Sequence, residues 1–147
     1  MGLFDTLKKR KEEKKKNELE MFVTKTTAAA IKLAEALNEN FDFSEASITA
    51  LEKILDDFSK DIPVSKPNES QIGNMAIIFG TYLGETLLKN GLVQKGYYWD
   101  FVGRSSIPVL RHQNGYILTP NDRVYKRLVN GEEDNVFSFY RYALKYL

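Results

Sequence analysis

The chain contains no cysteine, which excludes disulfide bonds, a thiolate nucleophile and thiolate metal ligands. It has a single histidine, His112, so a zinc or iron site built from imidazole ligands is unsupported as well. We therefore expect no metal ion, and the absence of cysteine is typical of a reducing compartment.

Long apolar runs are also missing. The longest uncharged apolar stretch, around residues 72–84, is interrupted by glycine, asparagine and threonine and falls short of the roughly 18 residues that a membrane span needs. Leu3, Phe4 and Leu7 are followed at once by lysines, which argues against a secretory signal. The sequence predicts a cytoplasmic protein, with a position at the inner face of the membrane as the alternative.

Nucleotide-binding motifs are absent too. No Gly-x-x-x-x-Gly-Lys loop occurs, and Gly80-x-x-x-Gly84 falls in the middle of a predicted helix, where it cannot hold a phosphate. We expect no cofactor.

Charge is distributed unevenly along the chain. Residues 1–16 carry seven bases and three acids, whereas the remaining 131 residues carry 14 bases and 17 acids. We interpret residues 1–16 as a basic extension, flexible or helical, and residues 17–147 as a single domain. The mildly acidic domain is a poor general surface for nucleic acid, so no specific nucleic-acid partner is expected.

The basic extension has two interpretations. It is either a solvated, frayed start of a helix or a contact for an anionic membrane, in which apolar side chains and bases both meet lipid. The residues that would make this contact are Leu3, Phe4, Leu7, Lys8, Lys9, Arg10 and Lys11.

Apolar residues spaced three and four apart predict three helices in the first part of the chain. The first covers residues 17–38, with a possible extension back through the lysines. The second is capped by Asp42 or Ser44 and ends before Pro63, and a loop follows over residues 61–67. The third begins with the capping box of Asn68 and Gln71 and ends at Asn90, with Gly91 in the left-handed position after it.

Gly73, Ala76, Gly80 and Gly84 fall on one side of the third helix, which removes side-chain bulk there. Close packing of this helix inside the domain explains the glycines, and a groove for a partner is the alternative.

After Gly91 the pattern changes to short strands. Aromatic and aliphatic runs predict strands over residues 95–102, 106–111 and 115–119, and Asn114-Gly115 between the last two is a strong hairpin signal. Two helices then follow, capped by Asn121 or Asp122 and by Asp134. The predicted fold is α+β, with N-terminal helices packed on a small antiparallel three-stranded sheet and with C-terminal helices.

Few residues offer catalytic chemistry. Glu85 lies among apolar residues of the third helix, and we predict a structural role for it, bound to a tyrosine hydroxyl or paired with an arginine such as Arg127. General acid–base catalysis by Glu85 is the less favoured alternative. His112 lies at the hairpin turn, where we expect it to face solvent, and Ser105 and Ser106 lack the sequence of a nucleophile elbow.

Residues 80–140 resemble a widespread bacterial domain of unknown function. The matching segments are Gly80 to Glu85 (GTYLGE), Trp99, Pro108 to Leu110, Pro120, Val124 to Leu128 (VYKRL), Asn130 to Asn135 (NGEEDN), and Phe139-Tyr140. Some relatives of that domain occur near genes for bacterial toxins and their immunity proteins, so the resemblance implies an inhibitor role. It covers less than half of the chain and implies no catalytic residues.

These observations predict a non-enzymatic protein-binding domain whose partner is another protein, with a toxin as the more specific expectation. Aromatic and arginine side chains are typical anchors of protein interfaces. The candidate binding residues are Tyr97, Trp99, Arg104, Arg111 and Tyr116. Two alternatives are a peripheral membrane protein held by residues 1–16 and an enzyme using Glu85.

Overall fold

A computed structural model describes residues 2–147 of the chain. Over this range the chain forms five α-helices and one antiparallel sheet of three strands, which confirms the predicted α+β fold. The elements are α1 Leu3–Ala36, α2 Glu45–Ser65, α3 Glu69–Leu87, β1 Tyr97–Asp100, β2 Val109–His112, β3 Ile117–Leu118, α4 Pro120–Asn130 and α5 Val136–Tyr146.

The centre of the domain is α3, which packs against α1 on one side and against α4 on another. Its sequence is apolar nearly all round, as expected of a helix surrounded by other elements. Phe79, Tyr82, Leu83 and Leu87 are fully buried. The predicted capping box is present, since the Asn68 side chain accepts from the Gln71 N–H and the Gln71 side chain accepts from the Asn68 N–H.

Two of the glycines of α3 mark places where another element comes very close. A β-carbon on Gly80 would lie 2.5 Å from the Cα of Asn121, at the start of α4. A β-carbon on Gly84 would lie 2.4 Å from the indole of Trp99. Around Gly73, by contrast, nothing lies within 4 Å of that position. The glycine side of α3 is therefore filled by α4 and by the sheet at Gly80 and Gly84, while it stays open at Gly73.

The sheet has the strand order β1-β2-β3. Trp99 is paired with Leu110, and Leu110 with Leu118, so this row faces α3. Because neighbouring strand residues point to opposite faces, the next row, formed by Tyr98, Arg111 and Ile117, points away from the core. The hairpin between β2 and β3 turns at Gly115, whose φ of 94° suits glycine.

The second helix does not end before Pro63, as the sequence predicted, but runs through it to Ser65. Proline removes one helical hydrogen bond, which near the end of a helix costs less than in the middle. Ile62, packed on the core, and the bond from the Lys66 N–H to the Ile62 carbonyl hold the last turn in place. The predicted loop over residues 61–67 is accordingly reduced to the few residues before Glu69.

Three further helix ends differ from the prediction. Gly91 does not adopt the left-handed conformation, because the chain continues from α3 through a wide turn, Leu88–Leu92, that buries both of its leucines. The fourth helix begins at Pro120 without a side-chain cap from Asn121 or Asp122, which lie inside its first turn, and Pro120 at the first helical position already supplies helical φ. The cap of α5 is Asn135 rather than Asp134, with its Oδ1 accepting from the Ser138 N–H.

The first helix is continuous from Leu3 to Ala36, so the boundary predicted at residues 16–17 lies inside a single helix. Its buried residues are Val23, Thr27, Ala30 and Ala34, which belong to the second half. The basic first half is thus an extension of a helix that the second half anchors to α3.

Candidate interaction surface

The outer face of the sheet presents a row of three side chains, one from each strand: Tyr98, Arg111 and Ile117. Tyr98 is 44% exposed and Ile117 37% exposed. Tyr116, just before β3, is exposed too, but it pairs with His112 and so belongs to the opposite face of the sheet. We call Tyr98, Arg111 and Ile117 the outer sheet surface.

Asp100 orients Arg111 on this surface. The Nε of Arg111 lies 3.1 Å from Asp100 Oδ2, and Lys15 of α1 lies 2.8 Å from Asp100 Oδ1. The Arg111 Nε has no aligned hydrogen-bond partner, so its contact with Asp100 is an ion pair without a formal hydrogen bond. A half-buried arginine fixed by charge in this way is a ready anchor for a partner.

The five predicted binding residues do not all lie on one face. Tyr97 is buried beneath the sheet, in edge contact with the His112 ring, and Trp99 packs inward on Gly84. Arg111 lies on the outer row, Tyr116 is exposed on the other face of the sheet where it pairs with His112, and Arg104 is exposed in the loop between β1 and β2.

Tyr98 and Ile117 are the residues of the outer sheet surface that the sequence interpretation missed. Strand alternation contained the necessary signal, because Tyr97 and Trp99 must share one face and Tyr98 must occupy the other. The sequence did not show which of the two faces was buried.

Glu85 is bound to the sheet through an indole rather than through an arginine or a tyrosine. The Trp99 Nε1–H donates to Glu85 Oε2 at 2.8 Å, and Lys89 lies 3.8 Å from Oε1. The carboxylate fixes β1 against α3, next to the glycine that Trp99 covers.

Arg127 is 1% exposed and joins two helices. Its guanidinium donates to both carboxylate oxygens of Glu52 at 2.9–3.0 Å and to Asp56 at 2.8 Å, which ties α4 to α2. Glu52 also accepts from the Val136 N–H at the start of α5. The pKa of Arg127 is raised, chiefly by its hydrogen bonds to Glu52, and the pKa of Asp56 is lowered, chiefly by its bond from Lys60 and then by Arg127.

His112 does not face solvent freely but supports the hairpin. Its Nδ1 accepts from the Asn114 N–H at 3.0 Å, so its Nε2 carries the proton and donates to the Lys95 carbonyl at 2.7 Å. Ser105 is engaged within its own loop, where its hydroxyl accepts from the Ile107 N–H. Across residues 2–147, no group of three or more histidine or acidic side chains is placed to hold a metal ion.

A second buried polar group, also missed from the sequence, joins α2 to α3. The Tyr82 hydroxyl accepts from the Phe43 N–H at 2.8 Å and donates to the Ser47 hydroxyl at 2.7 Å. Burial raises the pKa of Tyr82. The serine in turn donates to the Ser44 carbonyl, so each hydroxyl is used to position the start of α2.

Two of the surface depressions lie over the core of the domain. One, of about 240 Å³, is lined mainly by apolar residues of α2 and α3, including Phe58, Ile62 and Met75. The other, of about 350 Å³, lies between α3, the start of α4 and residues 105–109. Both are at or below the lower end of the volumes usual for small-molecule sites.

The predicted lipid-contact residues lie on the first half of α1. Leu3 is 71% exposed, Phe4 86% and Leu7 50%, and Lys8, Lys9, Arg10 and Lys11 are exposed after them. None of the helices within residues 2–147 combines the length and the apolar character required to cross a bilayer.

Comparison with protein-family models, curated proteins and solved structures gives no match for the chain. The resemblance of residues 80–140 to a bacterial domain therefore stays a prediction from the residues alone.

Proposed function

We propose that the chain is a non-enzymatic protein-binding domain whose partner docks on the outer sheet surface. The observation that carries this proposal is the row formed by Tyr98, Arg111 and Ile117, in which Tyr98 and Ile117 are exposed and Arg111 is half-buried between them. A tyrosine, an arginine and an isoleucine in one row combine the side-chain types that anchor protein interfaces.

The charges of this surface favour a protein over a nucleic acid. Asp100 is paired with both Arg111 and Lys15, so this cluster keeps only one net positive charge. A nucleic-acid surface needs an excess of bases around its aromatic side chains, because phosphate contacts dominate the affinity. A protein partner requires no such excess and gains from burying Tyr98 and Ile117.

Binding without catalysis is favoured because the candidate catalytic groups are engaged in the fold. Glu85 holds the Trp99 indole, and both ring nitrogens of His112 are bound to backbone groups. A general acid or base must reach a substrate proton within hydrogen-bond distance, and neither group faces a pocket of substrate size.

The more specific form of the proposal is an inhibitor, such as an immunity protein that blocks a bacterial toxin. The resemblance of residues 80–140 supports this form, and an inhibitor of this kind requires a binding surface but no chemistry of its own. An outer sheet surface centred on a fixed arginine is suited to occlude a site on another protein.

The test compares partner capture by substituted proteins. C-terminally tagged chain is expressed in its own host, and captured proteins are identified and then purified for binding measurements. Tyr98→Ala and Arg111→Ala should each weaken binding at least tenfold, which is the effect of an interface anchor. Tyr142→Ala is the matched control, because Tyr142 is an exposed tyrosine on α5, 55% exposed against 44% for Tyr98.

The possible outcomes separate the proposal from its alternatives. If Tyr142→Ala weakened partner binding as much as the sheet variants do, the interface would lie elsewhere and the proposal would be overturned. The same follows if neither Tyr98→Ala nor Arg111→Ala weakened binding. If the partner is a toxin, co-expression of the wild-type chain should restore growth and co-expression of Arg111→Ala should not.

A further inference from the structure

The first four turns of α1 have two different sides. One side carries a series of residues spaced three or four apart: Asp5, Lys9, Glu12 and Lys16. Seven residues after Lys16 the same side reaches Val23, the first buried residue of the helix. A second series has the same spacing and leads, seven residues after its last member, to the exposed Met21: Leu3, Leu7, Arg10 and Lys14. Because Met21 is two residues from Val23, this series lies on roughly the opposite side of the helix. This second side points away from the domain.

The two sides differ in charge. Along the first, acids and bases alternate and cancel. The second side, with Phe4 and Lys11 beside it, has three apolar side chains followed by three bases, and it reaches its first acid, Glu18, only one turn after Lys14. The three apolar residues and three bases are Leu3, Phe4, Leu7, Arg10, Lys11 and Lys14. We call these six residues the outward helix face.

The bases of this face are free, while a neighbouring base is not. The Lys15 ammonium is paired with the Asp100 carboxylate at 2.8 Å, and this contact orients α1 about its axis relative to the sheet. Among the described residues, Arg10, Lys11 and Lys14 have no ion-pair partner. The fold therefore presents them together, in a fixed orientation.

We propose that the outward helix face binds an anionic membrane surface. Leu3, Phe4 and Leu7 enter the boundary between headgroups and acyl chains, and Arg10, Lys11 and Lys14 contact lipid phosphates. The exposed apolar side chains favour lipid over nucleic acid, because a phosphate backbone gives them nothing to bury against. This inference is independent of the outer sheet surface and of any protein partner.

The test uses the full chain with vesicles of phosphatidylcholine containing phosphatidylglycerol, and with vesicles of pure phosphatidylcholine. The double variant Lys11→Gln/Lys14→Gln should lower the partition coefficient at least tenfold on anionic vesicles. Lys9→Gln/Lys16→Gln is the matched control, since it removes two lysines from the other side of the same helix. The two double variants therefore have the same net charge. It should lower binding less than threefold.

A second measurement tests the apolar contact. The chain has no cysteine, so Phe4→Cys labelled with an environment-sensitive dye gives a signal from that position alone. The dye emission should shift to the blue on anionic vesicles. Leu3→Ala/Leu7→Ala should reduce binding although it changes no charge.

Three results would overturn the proposal. One is equal loss of binding in the two lysine pairs, which would indicate unspecific charge attraction. Another is equal binding to neutral vesicles. The third is unchanged vesicle binding in Leu3→Ala/Leu7→Ala together with binding of a single-stranded RNA that Lys11→Gln/Lys14→Gln abolishes, which would identify nucleic acid as the ligand. Circular dichroism of each variant confirms that the helix is retained.

Discussion

Three glycines of α3 give a prediction in which the same substitution on the same helix has opposite effects. Each of Gly73, Gly80 and Gly84 is replaced by alanine in a separate variant. Alanine stabilises a helix over glycine by up to about 1 kcal/mol, because glycine loses more backbone entropy on folding. What differs between the three positions is the space for the new methyl group.

At Gly73 nothing lies within 4 Å of the added carbon, so the helix gain should appear in full and the free energy of unfolding should rise by about 0.5–1 kcal/mol. At Gly80 the carbon would lie 2.5 Å from Asn121 Cα and 2.8 Å from Asn121 N. These are backbone atoms at the start of α4, so relief requires the two helices to separate. We expect a loss of about 3 kcal/mol or more.

At Gly84 the obstacle is a side chain. The carbon would lie 2.4 Å from the Trp99 indole, which the bond to Glu85 keeps from rotating aside. We expect a loss of about 2 kcal/mol, between the other two variants. Its near-ultraviolet circular dichroism should also change, since the chain has one tryptophan and its environment would be altered.

Urea unfolding, followed by far-ultraviolet circular dichroism, gives the three free energies. A stabilising Gly73→Ala with strongly destabilising Gly80→Ala and Gly84→Ala supports the close contacts. If Gly80→Ala were as stable as the wild-type chain, α4 would not cross α3 at that glycine, and the packing described above would be wrong.

Two further predictions concern the charged contacts of α2. Arg127→Met should lower the free energy of unfolding by about 3 kcal/mol, because Glu52 and Asp56 lose the buried arginine that they share, and urea unfolding measures it. Asp56 has a lowered pKa in the folded protein, so its contribution to stability is present above pH 3.8, the usual value, and is lost as the pH falls through the lowered value. The wild-type chain should therefore lose more stability between pH 5 and pH 2 than Asp56→Asn does. Asp57→Asn, at the neighbouring position, should follow the wild-type curve of unfolding free energy against pH. Identical curves for all three proteins would contradict the assigned role of Asp56.

Local patterns accounted for most of the helices and strands, because amphipathic spacing, the Asn68–Gln71 box and the Asn114-Gly115 turn act within a few residues. The errors lie at element ends, where distant packing decides. Pro63 is an example: its effect on the helix was estimated locally, but Ile62 is held by the core and keeps the last turn helical.

The polar contacts could be predicted only in type. A carboxylate among apolar residues had to be bonded, yet nothing in the sequence near Glu85 distinguished the Trp99 indole from an arginine or a tyrosine. The partners of Arg127 lie 71 and 75 residues away in the chain, so only the folded arrangement of α2 and α4 identifies them.

The outer sheet surface follows from the same packing that fills Gly84. Since β1 alternates, covering Gly84 with Trp99 leaves Tyr98 no position except on the outside, opposite Arg111. The bond from Trp99 to Glu85 then limits rotation of the strand, so Tyr98 is presented in one orientation. A substitution that displaces Trp99, such as Gly84→Ala, should consequently disturb partner binding as well as stability, even though Gly84 is buried and cannot touch the partner.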